Sequence, residues 1–297
     1  EKPKVEKVIF RSIPEVSNRM IALETEEIDA SFDIGIMDRE ALINHKDLAL
    51  IEVESSAQLY LSFDQTNPLF KDIRVRQAIS YAVDNKTLAE AVFRGSASPA
   101  NSPLPSAVAG HKDIDYYEQN IELAKKLLAE AGYPNGFPLK LWVNDESTRV
   151  DMCVIIQGQL KEIGIDVDIE VFEWGTFLTK TLEHNKPLYL FSWSGSTGDA
   201  DGILYPMFHS SQRDVSANRS NYFSPKVDSL LDMARTSIDE EKRLSLYKEA
   251  QEEIQKDLPH YTLVYNKLNM GINKKVKGLT LSSTGDINLA DISILEN

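Results

Sequence analysis

One cysteine, Cys153, stands in 297 residues. No intramolecular disulfide can form, and the redox compartment stays open. Cationic residues are in the minority: 32 Lys and Arg against 46 Asp and Glu give a net charge of −14 and a pI near 4.9. That balance argues against nucleic acid and anionic membrane as partners, because both select basic patches. No apolar run is long enough to span a bilayer. A signal peptide is also missing, and "EKPKVEKVIF" reads as the middle of a longer sequence, so the chain is expected to be a processed or truncated product. The phosphate motifs GxGxxG and GxxxxGK[ST], the metal motifs HExxH and CxxC, and the hydrolase elbow GxSxG do not occur. None of the five histidines, His45, His111, His184, His209 and His260, lies three or four residues from another His or Cys, so no metal site is expected. Repeats and low-complexity tracts are absent too.

What remains is an ordinary globular composition, 42% hydrophobic and 26% charged, long enough for a sizeable core or two domains. "VEKVIFRSI" alternates as a strand does, and "PEVSNRMIALETEEIDA" follows as a helix with Pro14 near its start. "SFDIGI" and "LALIEVES" read as short strands around a helix at "DREALINH", and "SAQLYLSFDQ" as a further strand. "IRVRQAISYAVDNKTLAEAVFRG" is helical, with Asp84 capping a second helix that stops at Gly95. "SASPANSPLPSAVAGH" carries three prolines and reads as an extended, exposed loop. "NIELAKKLLAEAGYPNG" is an amphipathic helix that ends at Gly132, followed by a Pro-Asn-Gly turn, after which the segments "PLKLWV", "STRVDMCVIIQGQLKEIG", "DVDIEVFE", "WGTFLTKTLEH" and "LYLFSW" alternate strand, helix, strand, helix, strand. That order predicts an α/β sheet with helical crossovers. Two helices at "SPKVDSLLDMARTS" and "DEEKRLSLYKEAQEEIQKD" follow, then strands at "YTLVYN", "LNMGIN", "VKGLTL" and "ISIL". Cys153 falls in an amphipathic helix and reads as a buried structural thiol.

Chemistry gathers at two strand ends. Ligands in open α/β sheets collect at the carboxyl ends of parallel strands. "LWV" runs into Asn144, Asp145 and Glu146, with Arg149 opening the next helix, and "LFSW" runs into Ser194, Gly195, Ser196, Thr197, Gly198, Asp199, Ala200 and Asp201. If the two strands are parallel neighbours, Asn144, Arg149, Trp193, Ser194, Ser196 and Thr197 face one crevice. A cation, an aromatic wall and neutral hydrogen-bond partners suit a small polar ligand with a carboxylate. The bland alternatives are a surface ion pair of Arg149 with Asp145 or Glu146, and a helix N-cap made by Asp199 or, more naturally, Asp201.

"FKDIRVRQAISYAVDNKTLAEAVFRGSASPA" resembles the signature region of the family 5 extracytoplasmic solute-binding proteins, the peptide, dipeptide, nickel, haem and glutathione receptors of ABC importers. Pro68, Phe70, Asp72, Arg74, Val75, Arg76, Gln77, Ala78, Ile79, Ala82, Asp84, Gly95 and Pro99 carry the pattern, with Leu69 as an extra spacer. "EIDASFDI", "QGQLKEIGIDVDIEVFEWGTFL", "NYFSPKVDSLLDMARTSIDEEKRLSLYKEAQEEIQKDLPHYTLVY" and "VKGLTLSSTG" resemble further family segments, Glu26 standing where Gly is usual.

The resemblance implies an α/β fold of the periplasmic-binding-protein type II kind: a lobe with a mixed sheet flanked by helices, plus short segments of another lobe. Members are longer, so the chain is expected to be a C-terminal fragment. Residues 1–55 would belong to the first lobe and the crossover, 56–270 to the second lobe and 271–297 to a return. The implied function is that of an extracytoplasmic, membrane-anchored, monomeric receptor. It would close two lobes on a short peptide or glutathione-like ligand and deliver it to permease subunits, without catalysis or a cofactor. Asn144 and Arg149 match ligand-touching family positions, and Tyr60 and Asn218 are carried over by neighbourhood. Peptide-binding members hold the ligand's α-amine with an Asp where this chain has Ser196. The loop is closer to the Ser-Thr-Gly-acidic-Ala-Asp version of glutathione-receptor-like members. The alternatives are a nickel or haem receptor, for which only His209 lies near the loop, a hydrolase using Asp199 and a second carboxylate, and a signalling or adhesion module.

Overall fold

The computed structural model describes residues 4–114, 116–213, 215 and 217–295. The chain divides into two compact units, Glu1–Ser55 with Asn266–Asn297, and Ser56–Tyr265. It begins with α1 (Val16–Glu24), β1 (Ala30–Phe32), α2 (Arg39–Ile43) and the long strand β2 (Leu48–Ser62), within which it passes into the second unit. There follow α3 (Pro68–Lys71), α4 (Ile73–Ala82), α5 (Asn85–Phe93), β3 (Ala97–Pro99), α6 (Ile121–Glu130), β4 (Pro138–Asn144), α7 (Ser147–Lys161), β5 (Asp166–Phe172), α8 (Trp174–Lys180), β6 (Leu188–Ser194) and α9 (Asp201–Phe208). The helical pair α10 (Pro225–Thr236) and α11 (Glu240–Asp257) leads to β7 (His260–Asn273), along which the chain returns to the first unit. Short pairs close it: β8 (Val276–Lys277) with β11 (Ser293–Ile294), and β9 (Thr280–Leu281) with β10 (Ile287–Asn288).

Local chemistry places these ends where the sequence puts them. Asp84 accepts from the Lys86 amide and caps α5, Asn120 does the same for α6 through Leu123, and Glu173 for α8 through Thr176. Gly132 and Gly164 take positive φ where α6 and α7 end.

In the second unit the sheet is mixed. β4 runs parallel to both β5 and β6, β6 runs antiparallel to Ala57–Ser62 of β2, and β3 pairs with β7. Alternation along the strands gives the sheet two different faces. Leu59, Leu61, Leu139, Leu141, Val143, Leu188 and Leu190 join an aliphatic core with Val75, Ile79, Leu88, Met152, Ile156 and Leu160 from α4, α5 and α7. Tyr60, Trp142, Tyr189 and Phe191 join an aromatic core with Phe177, Ile203, Met207, Phe208, Leu231 and Ile254 from α8 to α11. Each such side chain taken fully out of water contributes about 1.5–3 kcal/mol.

The first unit has two smaller clusters, one around Leu23 and Leu42, the other around Met270 and Val276. Residues 5–13, expected as a strand, form none. Val8, Ile9 and Phe10 are exposed and line an apolar groove of about 580 Å³ with Phe32, Met270 and Ile292. The pairs of short strands expected at 48–65 and 261–273 are single long strands of 15 and 14 residues. The proline segment after Gly95 is buried rather than exposed: Ser102 and Leu104 have no accessible surface. Its carbonyls are satisfied from outside, Ala100 O by the Asn85 amide (2.8 Å) and Ser102 O by the Tyr265 hydroxyl (2.8 Å). Prolines suit such a buried strap because they bring no N–H needing a partner.

Candidate ligand-binding site

β4 and β6 are parallel neighbours, with Leu141 opposite Leu188 and Trp142 opposite Tyr189, so their carboxyl ends open side by side. Glu146 caps α7 by accepting from the Thr148 amide (3.2 Å). The first turn of that helix then directs Arg149 back over the strand ends. Its Nη1 donates to Asn144 Oδ1 (2.9 Å), its Nη2 to Ser192 Oγ (2.9 Å), and its Nε lies 3.1 Å from Glu146 Oε2. The ion pair anticipated with a neighbouring acid is present. Only 17% of the Arg149 side chain is exposed. Burial lowers its pKa, Glu146 opposes the shift, and a guanidinium stays charged throughout.

The aromatic wall differs from the expected one. Trp193 is half-buried against the aromatic core, and its indole N–H donates to Gly202 O (3.1 Å). The exposed aromatic is Trp174, 42% accessible, at the first position of α8. Its ring stacks on Phe191 at 6.0 Å and 20°, and the Arg149 guanidinium lies 5.8 Å from its centroid. The sequence reading gives Trp174 no role beyond opening a helix. The signal was available: Asn144 is opposite Phe172 in the β4–β5 register, so a residue two beyond Phe172 belongs at the same rim.

The loop after β6 is pinned at its root. Ser56 Oγ donates to Gly195 O (2.6 Å), and Gly195 N donates to Ser56 O (3.2 Å). A side chain at Gly195 would meet Ile203 at 2.9 Å. Ser194, Ser196 and Thr197 are exposed beyond that root. Neither acid is the helix N-cap, a position taken by Ala200; Asp199 Oδ1 instead accepts from the Asp201 amide (2.8 Å). Asp201 is the first residue of α9 and pairs with Arg235 (3.1 Å). Arg243 grips both oxygens of Asp199 at 2.7 Å and holds its carboxyl below the usual range. A hydrolase acid needs the opposite shift.

The structure therefore brings Asn144, Arg149 and the β6 end together, with Ser194, Ser196 and Thr197 continuing from it. Tyr60 and Asn218 stand apart. Tyr60 is fully buried beneath Phe191, and its hydroxyl has no hydrogen-bond partner among the described residues. Asn218 is 2% exposed; its Nδ2 donates to His209 O and Tyr222 O, and its Oδ1 accepts from Tyr222 N and Ser220 Oγ. Cys153 is fully buried, and burial pushes its thiol pKa up.

Comparison with known proteins follows this geometry. The family model described as "Bacterial extracellular solute-binding proteins, family 5 Middle" matches residues 1–214. "Heme-binding protein A" of Haemophilus influenzae is 29% identical over 289 residues, covering 95% of this chain and 52% of its own length. "Glutathione-binding protein GsiB" of Pectobacterium atrosepticum is 31% identical over 301 residues, covering 97% and 59%. Among solved structures, the periplasmic binding protein DppA of Helicobacter pylori in complex with peptide STSA superposes with a TM-score of 0.81 at 32% identity, covering 96% of this chain and 56% of its own. The chain spans about half the length of the relatives it matches.

Proposed function

Because this chain belongs to the family 5 bacterial extracellular solute-binding proteins, we propose that it forms the ligand-holding wall of an ABC importer's substrate-binding component, for a short peptide or glutathione-like ligand. One observation carries the reading. Arg149, held in a fixed orientation by Asn144 and Ser192 beside the exposed face of Trp174, is preorganised for a ligand carboxylate. Around it the loop offers neutral hydroxyls and amides, Ser194, Ser196 and Thr197, while its two acids are turned to Arg243 and Arg235. With Ser196 where peptide-binding members place an Asp, a ligand ammonium has no ionic partner there. That favours a peptide whose amine is bound weakly or elsewhere, as in a glutathione-like molecule. The Glutathione-binding protein relatives and the peptide complex of DppA support this class. The receptor acts outside the cytoplasm, is anchored at the membrane, releases its ligand to permease subunits and works without catalysis.

The test is thermal stability against reduced and oxidised glutathione, di- to pentapeptides, nickel and haem. A Tm that rises with glutathione or a short peptide, and scales with its concentration as binding to the native state requires, is the expected result. A rise with nickel or haem alone would transfer the protein to the metal or tetrapyrrole branch of its relatives. Turnover of any of the peptides would contradict a receptor.

A further inference from the structure

The loop Gly195–Ala200 is short of apolar anchors, yet it is bound from behind by one face of a single helix. Arg243, Tyr247 and Gln251 recur every fourth residue on α11 and so lie in one row along it. Arg243 grips both oxygens of Asp199. Tyr247 Oη accepts from Arg243 Nη2 (3.2 Å) and donates to Asp201 Oδ1 (3.3 Å). Gln251, with no accessible surface, accepts from Ser102 Oγ (2.9 Å) and the Lys112 amide (3.2 Å) and donates to Gly110 O (2.8 Å). The last three belong to the buried proline strap, and that strap reaches the loop in turn: Ala109 N donates to Gly198 O (3.3 Å), and Ala109 bridges Asp199. The loop is thus held between strap and helix beyond the root that Ser56 pins, and its charged tie, Asp199 to Arg243, belongs to that row.

We propose that this polar row on α11 sets the position of the loop whose Ser196 and Thr197 face the ligand, so that Arg243 is a positioning residue for ligand binding although it lies on the far side of the loop. The inference rests on the reading that this loop holds the ligand. Asp199 is the link: the same carboxylate that Arg243 holds also accepts from the Asp201 amide, the first of α9. Withdrawing the guanidinium frees the acid to rotate and releases both that hydrogen bond and the turn. Tyr247 and Gln251 keep the helix side of the contact in register.

Amide hydrogen exchange of residues 196–202 without ligand, and affinity for reduced glutathione, test it on the native protein and on Arg243→Gln, Arg243→Lys and Tyr247→Phe. Arg243→Gln is expected to speed loop exchange about tenfold or more, through the loss of the two-pronged, partly exposed charge-assisted grip on Asp199, with the amides of β4 and β6 unchanged. It is expected to weaken glutathione by a similar factor. Arg243→Lys restores part of both, which a change of general stability would not produce, and Tyr247→Phe gives the same pattern at smaller size. Unchanged loop exchange in Arg243→Gln overturns the positioning role. Faster exchange with unaltered affinity overturns its relevance to the ligand. If the native protein binds no glutathione, the proposed function loses its ligand, while the exchange comparison still decides whether the row positions the loop.

Discussion

A guanidinium that is five-sixths out of water, with Asn144 and Ser192 holding two of its corners, gains most from a ligand that brings an anion of its own. Arg149→Ala should weaken a ligand with a free carboxylate by about 2–3 kcal/mol, as loss of a charged hydrogen bond does. Arg149→Lys should fall between, because a point charge replaces a fork; titration calorimetry reads both. His260 gives a residue-scale prediction of a different kind. It is packed flat against Tyr60 at 4.3 Å and close to Phe208, neither ring nitrogen has a hydrogen-bond partner among the described residues, and burial pushes its pKa down to about 3 from 6.5. The unfolded chain takes up a proton below pH 6.5 that the folded one refuses until near pH 3. Stability from this group is therefore intact above pH 6.5 and lost as pH falls through that window. His260→Phe should remove that slope and gain about 2 kcal/mol at pH 5 relative to its effect at pH 8, measured by urea unfolding at both. A third side chain, Lys186, is 1% exposed and lies 3.3 Å from Asp64, itself fully buried. Lys186→Met should cost about 3 kcal/mol by leaving a buried carboxylate without its cation, held only by hydrogen bonds from Thr66, Asn221 and the backbone amide of residue 186, visible as a lower urea midpoint at unchanged m-value.

At the scale of elements, the tightest constraint is where two connections cross. Gly136 and Gly164 both take positive φ, and a Cβ on Gly136 would lie 1.9 Å from Gly164 O. Gly136→Ala combines a left-handed backbone with a backbone clash and should cost well over 1 kcal/mol, again read from urea midpoints. The Pro-Asn-Gly turn announced this position, as Asp84 announced the start of α5. The helix-strand alternation from Pro138 to Trp193 was legible for the same reason: each element carries its own period and its own stop. What escaped was set by neighbours distant in sequence. Residues 5–13 alternate convincingly but find no strand to pair with, and a period of two without a partner is no strand. The proline strap looked polar and exposed because the donors that satisfy its carbonyls come from Asn85 and Tyr265. Neither Asp199 nor Asp201 is the N-cap of α9, because Arg243 and Arg235, more than thirty residues later, engage their carboxylates. Trp174 reads in the sequence as the start of a helix, and only the β4–β5 register puts it at the rim with Arg149.

For the molecule as a whole, the charge of −14 places no general attraction on an anionic ligand, so the proposed binding relies on the local field of Arg149 rather than on long-range steering. Two faces of one sheet differ in the second unit: the aliphatic face packs against α4, α5 and α7, and the aromatic face, through Phe191 and Trp174, borders the candidate site. The proposed recognition rests on a carboxylate meeting Arg149. The most direct measurement is calorimetric titration of native protein and Arg149→Ala with glutathione, or whichever short peptide raises Tm, and with the same molecule carrying its carboxylates as amides. The account predicts that amidation weakens the native protein at least tenfold and leaves the already weakened variant nearly unchanged, the two losses being one interaction. Equal loss on amidation in both proteins would contradict it, and would move the carboxylate partner away from Arg149.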